Sequence, residues 1–232
     1  MKNNARRVAL WGGIAYLITF AFSIPALGLL SPVTDHADFV LGGGDNDNQV
    51  LLGGVFELIT AFAGVATALA LYPVTRRISK TAALGFVSSR VVEAGFISVG
   101  VVSILSVVTL RQDLGGSPDS PDGLVPLAHA LVAVRDWTFL FGPGVMATFN
   151  ALFLATMLYR AGLVPRILPI LGLIGAPLLA TKAMIVTFGG MEDMSAGVIP
   201  FALPIAAWEL GLGLWLTFKG FRPSAVLDET SA

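Results

Sequence analysis

Six apolar stretches, each near or above the roughly 20 residues that a helix needs to cross ~30 Å of hydrocarbon, divide the chain. Continuous apolar runs without period-two alternation satisfy their backbone hydrogen bonds in lipid as helices. The predicted helices cover residues 8–30, 50–72, 82–110, 124–159, 163–188 and 196–218. The sequence therefore predicts an all-α, polytopic membrane bundle of six transmembrane helices that forms a single integral membrane domain over residues 1–232.

The composition agrees with a lipid environment and excludes several kinds of partner. Charged residues make up 12% of the chain, against about 25% in soluble domains. The formal net charge of −1 offers no basic surface for phosphates, so no nucleic acid partner is expected. The chain has no cysteine and two histidines, His36 and His129, with no second strong ligand at matching depth, so neither a metal nor another cofactor is expected.

Basic residues in the loops predict the orientation of the bundle. Short cytoplasmic loops of membrane proteins carry an excess of Lys and Arg. Ten of the eleven basic loop residues fall on one side of the predicted bundle, and only Arg111 falls on the other. Both termini are therefore expected in the cytoplasm. The ten are Lys2, Arg6, Arg7, Arg76, Arg77, Lys80, Arg160, Arg166, Lys219 and Arg222, and the opposite side collects Asp35, Asp38, Asp45, Asp47, Asp113, Asp119, Asp122, Glu192 and Asp193.

Five segments carry a likeness to a known family. They read A-R-R-V-A-L-W-G-G-I-A-Y-L-I-T-F near the start, R-V-V-E-A-G-F from Arg90, V-A-V-R-D-W-T-F ending at Phe139, L-Y-R-A-G-L-V-P-R ending at Arg166, and W-E-L-G-L-G-L-W-L-T-F-K-G-F ending at Phe221. As an ordered set they resemble the bacterial membrane proteins catalogued as domain of unknown function 4386. The resemblance implies a six-helix, multi-pass protein of the bacterial inner (plasma) membrane, and it transfers neither an activity nor catalytic residues.

Ionisable side chains inside the predicted spans are the main candidates for function. An ion at the centre of a membrane helix costs about 2.5–3.5 kcal/mol, so such groups normally face the bundle interior or water and find partners. Seven lie within the spans or at the mouth of the fourth: Glu57, Arg90, Glu93, Arg135, Asp136, Lys182 and Glu209. Together with Asn150, they are our candidates for a ligand or proton pathway.

Counting ~1.5 Å per residue from the predicted cytoplasmic helix ends sorts these groups into two layers, one at ~12–16 Å and one at ~22–35 Å. The inner layer contains Arg90, Glu93 and Glu209, and the outer layer contains Glu57, Lys182, Arg135 and Asp136. The outer layer balances in formal charge, whereas the inner layer has one cation for two carboxylates.

The inner layer therefore has one carboxyl in surplus, which we predict to carry a proton near neutral pH. Glu209 is the predicted carrier, because Arg90 and Glu93 are spaced i, i+3 and can pair on one helical face. Two alternatives stay open. In the first, Arg90 bridges both carboxylates as a latch between helices. In the second, the depth count misplaces the inner-layer residues, or these residues lie in an exposed vestibule.

Two helices carry further signals. Helix 2 has a face of small and polar residues that includes Gly53, Glu57 and Thr60, and this face is either a packing seam or a channel headed by Glu57. In helix 4, the run Phe141-Gly142-Pro143-Gly144 predicts a kink or a short unwound segment. The start of helix 4, before Trp137, is expected at the membrane interface. Asn150 is predicted to continue a polar path from Asp136.

Three functions fit these features. The first is a small-molecule binding or transport protein with proton-linked carboxylates in the membrane. The second is an intramembrane enzyme whose general acid, Glu209, Glu57 or Glu93, protonates a lipophilic substrate. The third is a structural or accessory subunit. The expected partners are membrane lipid, a lipophilic or amphipathic small molecule, and, because six helices provide little machinery for alternating access, further copies of the chain in a homo-oligomer.

Overall fold

The computed structural model describes residues 2–42, 46–115, 123–191 and 195–228. The regular elements among these residues are all helices, and no strand occurs among them. The predicted outer-loop acids Asp45, Asp119, Asp122, Glu192 and Asp193 lie outside the described residues. The elements are α1 (Lys2–Thr34), a 3-10 helix (Ala37–Leu41), α2 (Asp47–Ile78), α3 (Lys80–Leu114), α4 (Leu124–Phe139), a π-helical segment (Leu140–Met146), α5 (Ala147–Ala161), α6 (Ile167–Thr187), a second 3-10 helix (Ala196–Val198), α7 (Ile199–Phe218) and α8 (Ala225–Asp228).

Within the described ranges, six helices are long and apolar enough to cross a membrane, which confirms the predicted all-α architecture. They are α1, α2, α3, the continuous helix from α4 through α5, α6, and α7 with its preceding 3-10 turn. The first three contain 33, 32 and 35 residues and exceed their apolar stretches at both ends. The apolar count marks only the part suited to lipid, while the helical hydrogen bonds continue into the polar flanks.

The spans pack in chain order into a ring that closes where α7 meets α1. Arg6 of α1 donates to the carbonyls of Leu216 and Thr217 at 3.0 and 2.7 Å, so the start of the first span caps the end of the last. We call this the basic end of the ring, because it carries Arg6, Arg76, Arg77, Lys80, Arg160, Arg166 and Arg222. The opposite, acidic end carries Asp35, Asp38, Asp47 and Asp113.

Large apolar side chains point away from the ring. Phe62, Val102, Phe188 and Phe218 are each at least 66% exposed. A soluble protein rarely leaves such extensive apolar surface in contact with water, whereas a lipid-facing surface requires it. The chain is a multi-pass membrane protein.

The fourth span, from α4 through α5, departs from regular α-helix at the predicted place, but it does not unwind. Pro143 cannot donate a backbone hydrogen bond, and the helix widens around it into the π-helical segment. The half before this segment packs along the last turns of α3, where Ser103 Oγ donates to the Leu131 carbonyl at 2.6 Å. Arg135 lies in this half and is buried.

Candidate functional site

The inner charges converge from two helices that are distant in sequence. Arg90 of α3 donates through Nη1 to Glu93 Oε2 at 2.9 Å and through Nη2 to Glu209 Oε1 of α7 at 2.5 Å. Arg90 and Glu93 are buried, and the side chain of Glu209 is 17% exposed. We call these three residues the inner cluster. It contains one guanidinium and two carboxylates, as the depth count predicts.

The pairing within the inner cluster differs in one respect from the prediction. Glu93 pairs locally with Arg90, as its i, i+3 spacing predicts. However, this pair does not leave Glu209 without a cation, because the planar guanidinium presents separate N–H groups and binds both carboxylates at once. The arrangement matches the latch alternative and keeps the formal charge of the cluster at −1.

Neutral side chains complete the inner cluster, and sequence reasoning missed two of them. Asn150 Nδ2 of α5 donates to Glu93 Oε2 at 2.7 Å, and its Oδ1 accepts from Ser89 Oγ at 2.6 Å. The Tyr16 hydroxyl of α1 lies 3.4 Å from Arg90 Nη2, and its ring centroid is 5.4 Å from the guanidinium carbon. A depth count for Tyr16, ~12 Å from Val8, equals that of Arg90 and would have found it. No feature of the sequence would have identified Ser89 in the same way.

Asn150 does not continue a polar path from Asp136, as the sequence suggested. Asn150 is buried beside α3, whereas Asp136 is exposed. The two residues lie on opposite sides of the π-helical segment, whose wider turns shift the helical register between them. The α-helical spacing on which the prediction relied is therefore lost.

A second ion pair lies nearer the acidic end. Arg135 Nη2 of α4 donates to Glu57 Oε1 of α2 at 2.6 Å, and both side chains are buried. The Phe139 ring centroid lies 4.2 Å from the Arg135 guanidinium carbon. Gly100 of α3 leaves room for this arrangement, because a Cβ there would lie 3.1 Å from Arg135 Cδ. We call Glu57 and Arg135 the outer pair; Gly100 follows Glu93 by seven residues, which places the pair ~10 Å beyond the inner cluster.

All six spans line one central cavity of about 290 Å³. Its charged lining residues come from both predicted layers, and apolar side chains of the six spans form most of the remaining wall. The charged groups are Glu57, Arg90, Glu93, Lys182 and Glu209, and the apolar wall includes Phe20, Ile97, Phe139, Leu179 and Ile205. The predicted inner layer and two members of the outer layer, Glu57 and Lys182, thus line a single cavity.

Comparison with known proteins places the chain in a family. A family model described as Domain of unknown function (DUF4386) matches residues 12–220, which is most of the chain. The chain belongs to the DUF4386 family. This finding confirms the resemblance seen in the five sequence segments. Searches of curated proteins and of solved structures gave no match.

The DUF4386 chain has a second space at its acidic end, with a volume of about 690 Å³. This vestibule is lined by the end of α1, by α4 and by the end of α6, and it includes Asp35, Arg135 and Asp136. Leu27 and Phe139 line both the vestibule and the central cavity, so they form the partition between the two spaces. Asp136 therefore belongs to the vestibule, whereas Lys182 belongs to the cavity.

Proposed function

We propose that this protein is a small-molecule binding or transport protein in which the ligand occupies the central cavity and the inner cluster exchanges a proton. The observation that carries the proposal is the cavity of about 290 Å³ that all six spans enclose. Its volume lies near the lower end of the ~300–1,000 Å³ range of ligand pockets. A subunit whose charges served only to fix helix register would need no such space.

The charge of the inner cluster supports the proton-linked part of the proposal. Two carboxylates share one guanidinium, and a single proton would neutralise the cluster. Glu93 Oε2 already accepts from both Arg90 and Asn150. In the described part of the chain, Glu209 accepts only from Arg90, and its side chain lines the cavity. Glu209 is therefore the carboxyl best placed to take up a proton as a ligand binds or leaves.

The openness of the cavity favours a ligand-binding protein over an enzyme. An enzyme that protonates a lipophilic substrate profits from a closed pocket that excludes water from a reactive intermediate. Here the cavity reaches Ile24, which is exposed at the surface of the bundle, so the cavity is not closed. This arrangement suits a ligand that enters and leaves.

Photolabelling of the reconstituted protein tests whether the cavity binds ligands. The probes are dodecylamine, dodecanol and dodecanoate, each with a diazirine on the alkyl chain, and labelled peptides are identified by mass spectrometry. We expect at least one probe to label cavity-lining peptides saturably. Thr60→Trp, which fills the cavity from α2, should abolish this labelling, whereas Phe62→Trp on the exposed side of the same helix should preserve it. The proposal fails if no probe labels the cavity saturably, or if Thr60→Trp changes nothing.

We also propose that the protein lies in the bacterial plasma membrane with its basic end in the cytoplasm, because basic loop residues favour that side. The chain has no cysteine, so single cysteines at the exposed residues Lys80 and Asp38 report the orientation directly. In intact cells, a membrane-impermeant maleimide should label Asp38→Cys and not Lys80→Cys. The reverse pattern would overturn the orientation.

A further inference from the structure

We propose that the ligand is a lipophilic amine that enters the cavity sideways from the bilayer, between α1 and α7, and places its ammonium group against Glu209. This inference rests on the proposed function, because it specifies the ligand of the same cavity. It depends on three observations: the close contact of α1 and α7 near Tyr16, the exposure and depth of the cavity-lining residues beyond it, and the charge of the inner cluster.

α1 and α7 touch closely toward the basic end of the ring. A Cβ on Gly13 would lie 2.8 Å from the carbonyl oxygen of Gly213, and a Cβ on Gly213 would lie 3.0 Å from Tyr16 Cβ. Only glycine permits so close an approach of two helix backbones. The seam between the first and last spans is therefore closed from the basic end as far as Tyr16.

Beyond Tyr16 the same two helices form walls of the cavity. α1 contributes Ile24 and Leu27, which are 64% and 38% exposed although they line the cavity. α7 contributes Ala202 and Ala206, which are half-buried. A residue that both lines a cavity and is exposed lies at its rim, so the cavity opens at the outer surface of the ring. We call this opening the mouth.

The mouth lies at the depth of the hydrocarbon core. Counted from Phe218 at ~1.5 Å per residue, Glu209 lies ~14 Å and Ala202 ~24 Å along α7. Both values fall within the ~30 Å of hydrocarbon that the span crosses. The opening therefore faces lipid chains, and a molecule that uses it arrives dissolved in the bilayer and carries an apolar body.

The charge of the inner cluster selects the head group of this molecule. Glu93 and Glu209 share a single guanidinium, so a cationic head group that takes the place of the proton on Glu209 keeps the cluster neutral, whereas an anionic one adds to the surplus. An ammonium group also supplies three N–H donors to carboxylate oxygens. Phe20 lines the same cavity and offers an aromatic ring to a cation.

Two cations line the cavity: Arg90, which binds Glu93 and Glu209, and Lys182, which would favour an acid instead. Counted from Ile167, it lies ~22 Å along α6, about 8 Å farther from the basic end than Glu209. An ammonium group at Glu209 is separated from Lys182 by about that distance along the bundle axis. A carboxylate ligand would have to bind toward Lys182, and this difference in position makes the two head groups distinguishable.

The size of the cavity fits an amphiphile that is only partly enclosed. A volume of about 290 Å³ holds the head group and part of an alkyl chain, and the mouth lets the remainder of the chain stay in the lipid. Binding of this kind needs no complete desolvation of a long ligand, because the tail never leaves the hydrocarbon. The apolar residues around the mouth are consistent with that position.

The three photoprobes used above also test this inference. In nanodiscs, the dodecylamine probe should label the α1 and α7 peptides at the mouth saturably and more strongly than the dodecanol or dodecanoate probe. Unlabelled dodecylamine should compete at a concentration at least about tenfold lower than dodecanol, because a charge-assisted hydrogen bond is stronger than a neutral one. This competition uses the native chain, so it does not depend on any variant folding.

Three variants locate the head group and the route. Glu209→Gln should reduce amine labelling at least about tenfold and reduce dodecanol labelling far less, because a neutral hydroxyl loses no charge-assisted hydrogen bond. Ala206→Trp, at the mouth, should block amine labelling, whereas Ala207→Trp, on the exposed face of the same helix, should not.

The outcomes separate this inference from the proposed function. If dodecanol or dodecanoate labels the cavity best, the amine is wrong while the ligand-binding function stands. If amine labelling persists in Ala206→Trp, the route between α1 and α7 is wrong. If Glu209→Gln leaves amine labelling unchanged, the position of the ammonium group is wrong. If no probe labels the cavity, the proposed function fails as well.

Discussion

The inner cluster and the outer pair both bury an arginine in the bundle, but they differ in stoichiometry. In the outer pair one guanidinium meets one carboxylate, and both side chains are below 10% exposed. In the inner cluster one guanidinium meets two carboxylates, and one of these, Glu209, is more exposed than the rest and faces the cavity. The outer pair is complete in itself, whereas the inner cluster is one positive charge short.

This difference separates a structural role from a functional one. A buried one-to-one ion pair holds two helices in register, and a hydrophobic replacement of similar volume often does so equally well. A cluster with a surplus charge gains nothing in stability from that surplus. Under the proposed function, the surplus at the wall of the cavity serves to bind a proton or a cation. The predictions below test whether the two sites differ in this way.

Removal of the arginines should have the largest effect. Arg90→Ala leaves two carboxylates without a cation, and Arg135→Ala leaves one. Loss of one partner of a buried ion pair typically costs about 3–5 kcal/mol, and we expect Arg90→Ala near the upper limit and Arg135→Ala near the lower one. Glu93→Ala and Glu209→Ala should each cost less than Arg90→Ala. Thermal unfolding in detergent ranks these variants by stability. Equal unfolding midpoints for Arg90→Ala and Arg135→Ala would contradict the effect expected from the difference in stoichiometry.

Neutralising one carboxyl at each site should lower stability less than removing an arginine does, and by different amounts at the two sites. Glu57→Gln removes the carboxylate that Arg135 binds in the described structure, and a hydrogen bond to a charged group is worth about 1.5–3 kcal/mol. Glu209→Gln leaves Arg90 paired with Glu93 and removes the surplus charge. We expect Glu57→Gln to lower the unfolding midpoint clearly more than Glu209→Gln. The comparison fails if Glu209→Gln is the more damaging of the two.

Two glycines next to the arginines provide a finer test. A Cβ on Gly100 would lie 2.7 Å from Thr138 Oγ1 and 3.1 Å from Arg135 Cδ, so Gly100→Ala must move Thr138 and push the Arg135 side chain slightly aside. A Cβ on Gly64 would lie 3.7 Å from Arg90 Cδ, which is an ordinary contact. Overpacking costs about 1–3 kcal/mol, so we expect a loss of that size for Gly100→Ala and a smaller one for Gly64→Ala. Both changes add the same helix propensity, so Gly64→Ala is the matched control, and similar midpoints would show that Gly100 does not set the position of Arg135.

The fold could be predicted because its signals are local. Twenty consecutive apolar residues identify a span wherever they occur, and Pro143 between glycines marks an irregular turn. The depth of each charge was also predictable, because it depends only on the distance along one helix. Depth alone brought Arg90 and Glu209, which are 119 residues apart, to the same level.

The remaining features depend on how the helices rotate and separate. The π-helical segment turned Asn150 toward α3, and no residue count across that segment predicts the rotation. Tyr16 and Ser89 lie in apolar stretches of the sequence and are uncharged. Such residues cost little in lipid, so the sequence does not mark them as candidates. The cavity depends on how the faces of six helices meet, which is a property of the assembled bundle and not of any one helix.

The smallest expected effect on stability is also the most specific, and it concerns the proton on Glu209. If Glu209 is neutral in the native protein, then Glu209→Gln replaces one neutral group by another of similar shape, and the unfolding midpoint should hardly move. Glu93→Gln should lower the midpoint, because Glu93 Oε2 accepts from both Arg90 and Asn150 and an amide is a weaker partner for the guanidinium. Infrared difference titration of the protonated carboxyl stretch provides the direct measurement. We expect a band near pH 7 in the native protein that disappears in Glu209→Gln and persists in Glu57→Gln. A native protein without this band, or a band that survives Glu209→Gln, would mean that the surplus charge of the inner cluster is balanced by a bound cation or by water instead of by a proton.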